Sequence, residues 1–190
     1  MTENGKTPYD DVPPELGDGW FVVLTHEQLR EMPTPPPARA ELEPLVMVVS
    51  QWWAEADGEA GVRAVVLGEV TEIPPWEADL PTIDGADLCE ITIETAHAPI
   101  RLTLLVFAGL TEAGGADPET LVYEISHRTS SVDPTFSIKV EAEATVLSIP
   151  KSTLPEEMAM AVLQAEWHAE PQPDGSPLVV SSTWASYVDC

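Results

Sequence analysis

Positive charge is what this chain has least of. Lysine and arginine together number 8, against 33 aspartates and glutamates in 190 residues, which gives a formal net charge of −25 at pH 7. Proteins that bind DNA, RNA or anionic lipid without sequence preference do so through clustered lysine and arginine. The composition therefore excludes direct nucleic-acid binding and membrane-surface binding, and it favours a basic partner.

Cysteine is scarce, and long apolar runs are absent. The two cysteines, Cys89 and Cys190, cannot build a disulfide framework or a cysteine-rich zinc site by themselves. No apolar run approaches the roughly 18–20 residues that a membrane-spanning helix needs. The first six residues lack the basic start and apolar stretch of a signal peptide. We therefore expect a cytoplasmic location and no membrane contact.

Sequence motifs for nucleotides and metals are also missing. Neither G-x-x-x-x-G-K nor G-x-G-x-x-G occurs, so there is no glycine-rich phosphate loop. The four histidines lie too far apart in sequence to form a helical zinc pair: His26, His97, His127 and His168. We expect no cofactor and no metal, and the absence of a catalytic motif favours a non-catalytic protein.

Hydrophobic content is nevertheless sufficient for a folded domain. Hydrophobic residues make up 44% of the chain, and a chain of this length buries about 70% of the surface that its unfolded form exposes. Residues 1–18 carry three prolines and five acids with few apolar residues. We therefore predict a flexible, acidic and proline-rich arm over 1–18 and a single domain over 19–190.

Two segments have the apolar spacing of helices. Residues 42–57 place leucine, valine and tryptophan three and four positions apart, and residues 153–169 open with the capping-box spacing of Thr153 and Glu156. A strand over 45–53 remains an alternative, because Val46, Val48 and Val49 are β-branched. A shorter helix is predicted to start at Thr25, with Gln28 in the capping position.

The remaining segments alternate with a period of two and predict strands. They cover 62–72, 87–96, 99–109, 119–126, 135–149 and 177–183, with a hairpin turn at 97–99 joining the second and third. We predict an α+β fold: one domain with a mainly antiparallel sheet of five to seven strands, packed by two main helices.

One polar segment, residues 126–133, combines a histidine, an arginine, several hydroxyls and an acid between two predicted strands. Its simplest interpretation is a hairpin loop rich in turn-forming residues. If the protein has a catalytic or ligand site, His127, Arg128 and Asp133 are the candidates, since an arginine can hold a carboxylate and a histidine can move a proton.

Partner-binding residues are predicted from aromatic and acidic side chains. Trp76, Trp184 and Tyr187 lie in segments that a core does not obviously claim, and such residues serve as interface anchors. Glu90, Glu94, Glu141 and Glu143 are predicted on solvated strand faces, where acids two residues apart are roughly 6.6 Å apart. That spacing is similar to the spacing of phosphates in nucleic acid.

These observations predict a non-catalytic protein-binding module, such as a chaperone, adaptor or inhibitor, whose acidic surface and tryptophans bind a basic partner. One alternative is a nucleic-acid mimic that inhibits a DNA-binding protein. A second alternative is a small-molecule enzyme or ligand carrier that uses residues 126–133. The sequence leaves the oligomeric state open.

Overall fold

The computed structural model describes residues 23–31, 35–56, 59–67, 80–128, 133, 135–171 and 178–190, with the backbone alone at 30–31, 51–56 and 59–67. The predicted arm over 1–18 and Trp76 lie outside these ranges. Within them the chain forms one α-helix, three short 3-10 helices and eleven strands. The strands are β1 (Ala38–Ala40), β2 (Glu43–Ala56), β3 (Glu59–Leu67), β4 (Thr82–Asp84), β5 (Glu90–Ile93), β6 (Arg101–Phe107), β7 (Leu121–Arg128), β8 (Ser137–Val140), β9 (Thr145–Ser148), β10 (Met160–Ala169) and β11 (Leu178–Asp189).

The helix α1, His26–Glu31, forms where the capping-box spacing predicts it. The Thr25 N–H donates to Gln28 Oε1 at 2.8 Å, and the Gln28 N–H donates to Thr25 Oγ1 at 3.1 Å. These two bonds satisfy N–H groups that the first helical turn leaves without partners. None of the described helices is long and apolar enough to cross a membrane.

Nine strands form one curled, half-barrel sheet in the order β7-β6-β10-β11-β2-β1-β5-β9-β8, with β3 paired to β2 and β4 paired to β11. The described strands pair antiparallel, except that β4 pairs parallel with β11. Strands β7 and β8 are neighbours in sequence but stand at opposite ends of the order. The chain therefore passes from one end of the sheet to the other between them.

The prediction of an α+β fold with two main helices is wrong, because both predicted helices are strands. Residues 43–56 form β2, as the alternative over 45–53 proposed. In the second segment, Thr153 does not cap a helix, since its hydroxyl donates to the Pro150 carbonyl at 2.7 Å. Residues 160–169 form β10, in which buried and half-buried side chains alternate.

The predicted strands are present in most places, but their pairing differs from the prediction. No hairpin turns at 97–99, because β5 lies between β1 and β9 while β6 lies between β7 and β10. The segment 135–149 is two strands, β8 and β9, and not one. The Glu141 N–H donates to the Ala144 carbonyl at 2.7 Å and closes the turn between them.

Two apolar clusters occupy opposite faces of the sheet. The larger cluster includes Leu163, Trp167 and Trp184, and the smaller one includes Met160 and Ala185. Trp184 and Ala185 are consecutive in β11, and consecutive side chains of a strand point to opposite faces. Strands β10 and β11 are therefore covered on both faces where the smaller cluster lies. Among the described strands, β3, β4, β7 and β8 each pair with one other strand.

Candidate functional site

A groove lies along β7, at the end of the sheet order. It has a volume of about 340 Å³ and is lined by five consecutive residues of β7 and by three residues just before β8: Tyr123, Glu124, Ile125, Ser126, His127, Asp133, Thr135 and Phe136. We call this the edge groove. Two carboxylates line it, and none of its lining residues is lysine or arginine.

The edge groove brings together two of the three predicted site residues. His127 Nε2 lies 3.6 Å from Asp133 Oδ2. The His127 ring meets Phe136 edge-on, with ring centroids 4.8 Å apart, and Phe136 itself is buried in the larger core cluster. Packing on one side and a carboxylate on another therefore hold the imidazole in place.

Thr135 fixes the carboxylate of this pair. Its backbone N–H donates to Asp133 Oδ1 at 2.8 Å, and its hydroxyl donates to the same oxygen. These two hydrogen bonds, the hydroxyl first, lower the pKa of Asp133, and the nearby His127 lowers it further. Hydrogen bonds donated to a carboxylate favour its ionised form. Asp133 is therefore an anion at neutral pH.

Arg128 does not join this pair. It follows His127 directly in β7, so its side chain lies on the other face of the strand. There it is in register with Arg101 of β6, whose Nε is 4.0 Å from Glu166 Oε2. Ser126 lies on the same face as Arg128, with its Oγ 3.3 Å from Thr103 Oγ1. Among the described residues of the groove, His127 and Asp133 therefore form a pair, and no serine is hydrogen-bonded to His127.

The predicted aromatic anchors separate into three outcomes. Trp184 is 1% exposed and belongs to the larger core cluster, so it has no surface to offer a partner. Tyr187 is half-buried, and its hydroxyl donates to the Gly114 carbonyl at 3.1 Å. Trp76 lies outside the described residues. The structure corrects the assignment of Trp184, while Tyr187 stays a prediction.

The four predicted acids are all exposed, but they do not share one strand face. Glu94 Oε1 lies 3.5 Å from Arg39 Nε, and Thr92, predicted on the same solvated face as Glu90 and Glu94, is buried. Glu141 and Glu143 lie in the turn between β8 and β9, where Glu141 Oε1 accepts from Lys139 Nζ at 2.6 Å. The predicted alternation of acids therefore does not produce a flat acidic sheet face at either place.

Sequence reasoning missed the apolar start of β7. Leu121 and Val122 are 41% and 45% exposed, and Leu110, in the connection from β6, is also exposed. The ladder between β6 and β7 shifts register here, between Val106 and Phe107. The signal in the sequence was the pair of consecutive apolar residues Leu121 and Val122 beside polar ones. Alternation of apolar and polar residues does not show which strand lies at an edge of the sheet, so this signal could not be interpreted.

A second cavity, of about 310 Å³, lies between the 3-10 helix after β4 and the segment before β10. Lys151, Glu156 and Met158 line it, and so does Cys190, whose Sγ is 3.8 Å from the Met158 carbonyl oxygen. Cys89 is close in sequence to Gly85 and Ala86, which also line this cavity. Burial raises the pKa of the Cys89 thiol. Both cysteines are free thiols.

No cluster of three or more histidine, cysteine, aspartate or glutamate side chains that could hold a metal ion is found in the described ranges. Comparison with protein-family models, with curated proteins and with solved structures gave no match to this chain.

Proposed function

We propose that this protein is a non-catalytic binding module whose acidic surface binds a basic protein partner, in the manner of a chaperone, adaptor or inhibitor. The observation that carries the proposal is the placement of the acids. The buried polar side chains among the described residues are serines and threonines, with no aspartate or glutamate. With 33 acids and 8 lysines and arginines, even complete one-to-one pairing would leave 25 carboxylates without a cation.

Surface carboxylates that have no cation of the same chain beside them influence the binding of another protein more than they influence the stability of the fold. Exposed ion pairs stabilise a folded chain little, typically by about 0–1 kcal/mol. The electrostatic field of a surface with charges of one sign, in contrast, raises the association rate of an oppositely charged partner. It also selects against partners of the same charge. The acidity therefore supports a role in recognition. We place the module in the cytoplasm, which the free thiols of Cys89 and Cys190 support.

The test is a capture experiment followed by a quantitative titration. The protein is immobilised, exposed to lysate from its source, and washed at rising salt, and the retained protein is identified and purified. We expect one stoichiometric basic partner, whose dissociation constant rises steeply as ionic strength is increased roughly tenfold, because salt screens exposed charges. Salt-independent binding of that partner would contradict the proposal.

Two sets of substitutions sharpen this titration. The first changes Glu90, Glu94, Glu141 and Glu143 to glutamine, and the second changes four other exposed acids to glutamine: Glu27, Glu41, Glu112 and Glu157. Both sets alter the net charge equally. If the predicted acids contact the partner, the first set weakens binding more than the second. Equal weakening would assign the effect to the overall field and remove those four residues from the interface.

A second candidate function is favoured by the pair of His127 and Asp133. A carboxylate that orients an imidazole is the arrangement that acid–base sites use. The Thr135 hydroxyl, however, donates to Asp133 and not to His127. His127→Ala in a screen of small ligands tests this candidate: it should abolish ligand binding or turnover with an unchanged melting temperature. Retained binding in the variant would remove the pair from consideration.

The nucleic-acid mimic has less structural support. The spacing that suggested it, two carboxylates two residues apart on one strand, is found in none of the described strands. Competition with duplex DNA for the captured partner decides it, since a mimic must be displaced by DNA.

A further inference from the structure

The edge groove has an open strand as one wall. Among the described residues, β7 is hydrogen-bonded to β6 on one side, and its other side borders the groove. An edge strand presents backbone N–H and C=O groups that can pair with another chain. Of the eight residues of β7, Ile125 alone is buried, whereas β10 in the middle of the sheet buries alternate residues along its length. Strand β7 therefore retains the capacity to accept one more strand.

The dimensions of the groove suit an extended segment. Its wall contains the five consecutive residues Tyr123–His127, which span about 16 Å in a strand. The opposite wall contains Asp133, Thr135 and Phe136, which precede the other end strand, β8. A strand placed beside β7 would lie between the two ends of the curled sheet.

The two faces of β7 specify the side chains of such a segment. Ile125 and Phe136 are buried in the larger core cluster, and His127 packs against Phe136, so the side facing the core is apolar. Glu124 and Arg128 are exposed on the opposite face, whereas Asp133, which lies 3.6 Å from His127, is on the core-facing side with it. Residues of an added strand alternate between these faces. The matching segment therefore places apolar residues toward the core and a lysine or arginine opposite Glu124, where the net charge of −25 also favours cations.

A second copy of this chain is a poorer occupant than a basic segment. Two chains that each carry a net charge of −25 repel each other on approach. The two carboxylates of the groove would also meet a surface of the same sign. Charge complementarity therefore selects a basic partner, as the proposed function requires.

We propose that β7 binds an extended partner segment with alternating apolar and basic residues, which adds to the sheet as a strand in the edge groove. This inference rests on the proposed function and identifies the binding mode. Main-chain hydrogen bonds to the edge of β7 provide affinity, and the alternating side chains provide selectivity.

The probe is a capped octapeptide of alternating valine and lysine, titrated into the full chain. One control peptide has the same composition with its valines and lysines in separate blocks, and a second is the alternating peptide N-methylated at every second residue. We expect the alternating peptide to bind at least about tenfold more tightly than the N-methylated one, since each lost hydrogen bond costs about 1 kcal/mol. The amides of residues 123–127 should exchange more slowly with solvent when it is bound.

A substitution on the outward face of β7 gives an independent check. Glu124→Arg should weaken the alternating peptide about five- to tenfold, because it replaces an attraction at the groove with a repulsion. Glu157→Arg changes the net charge equally at an exposed position outside the groove. It should weaken the binding of the alternating peptide by less than about twofold. Equal effects of the two substitutions would overturn the inference.

The outcomes separate this inference from the proposed function. If both lysine peptides bind equally and the exchange of 123–127 is unchanged, the acidic surface binds basic partners but not by strand addition. If neither peptide binds while the captured basic partner does, strand addition fails and the proposed function stands. A dimer of this chain that protects the same amides without peptide would also overturn the inference.

Discussion

The middle and the ends of the sheet use the same alternating sequence pattern for different purposes. In β10, the inward side chains Leu163 and Trp167 are buried, and strands pair with both sides of β10. In β7, the inward side chain Ile125 is also buried, but His127 is half-buried at the edge groove, and β6 pairs with one side of β7. Pattern alone therefore sets which face of a strand is apolar, while position in the sheet sets whether the strand is available to a partner.

The largest expected difference between the two regions is in stability. Trp184→Ala, in the middle of the sheet, should lower the free energy of unfolding by about 3–5 kcal/mol, because it leaves a cavity where the structure buries an indole. Val122→Ala, on the exposed part of β7, should change it by less than about 0.5 kcal/mol. Urea unfolding of both variants measures this, and similar losses would mean that the middle and the end are equally packed.

A second prediction concerns hydroxyls near the two ends of the sheet. Thr145 in β9 is fully buried, and its hydroxyl has no hydrogen-bond partner among the described atoms. Thr145→Val should therefore raise the free energy of unfolding by about 1 kcal/mol. Thr120, just before β7, donates to the Asp117 carbonyl at 2.8 Å and accepts from the Gly109 N–H at 2.9 Å.

Thr120→Val is the matched control, because it removes a hydroxyl that is fully used. It should lower the free energy of unfolding by about 1–2 kcal/mol. The two opposite signs, measured by thermal or urea unfolding, would show that the connection into β7 is built with satisfied polar contacts. Destabilisation by both changes would mean that the Thr145 hydroxyl has a partner.

A smaller, pH-dependent effect is expected at the end of β10. Burial lowers the pKa of His168, with Arg128 and Arg101 acting in the same direction and Glu166 opposing them. As pH falls below the ordinary histidine pKa of 6.5, the unfolded chain takes up a proton at this position before the folded chain does. The free energy of unfolding should therefore fall as pH drops from neutrality to below 6.

His168→Gln should reduce this pH dependence, since glutamine does not titrate. The measurement is the free energy of unfolding of both proteins at about pH 8 and at about pH 5.5, with the difference between the two pH values compared. An identical difference in the two proteins would contradict the assignment of the effect to His168.

The smallest expected effect on stability is at the edge groove, where the quantity to measure is a pKa. Thr135→Val removes the hydroxyl that donates to Asp133 and should raise the pKa of that carboxyl, while Thr135→Ser should preserve it. Carbon-detected NMR titration of the Asp133 carboxyl measures both variants. An unchanged pKa in the valine variant would mean that the backbone N–H of Thr135 is sufficient on its own.

The helix α1 and most strands could be predicted from the sequence, but two strands were predicted as helices and the strand pairings were not found. Alternation located β6, in which buried and less buried side chains alternate, and it also located most of β7 and the first half of β11. The segment 153–169 misled because alanine favours helices and because Thr153 and Glu156 have capping-box spacing. Long-range pairing decides such segments: β10 becomes a strand because β6 and β11 lie on either side of it.

The candidate site was predicted in part, for a similar reason. His127 and Asp133 are six positions apart in the sequence, so their approach involves no pairing between distant segments. The orientation of Arg128 follows from strand alternation once β7 extends to residue 128, two residues beyond the predicted end. The burial of Trp184 depends on β10 and β2 pairing with β11, and nothing in the adjacent sequence indicates these partners.

The strand order also determines when the sheet can form during synthesis. The hairpins β2-β3, β6-β7 and β8-β9 can pair as soon as each has left the ribosome, because their partners are consecutive in the chain. Strands β10 and β11, which join β6 to β2 in the sheet, are the last of the described strands to emerge. Folding of the complete sheet must therefore wait for them, and pairings between distant segments form slowly. Until then the nascent chain has several open strand edges, and its negative charge opposes their pairing with other copies of the chain.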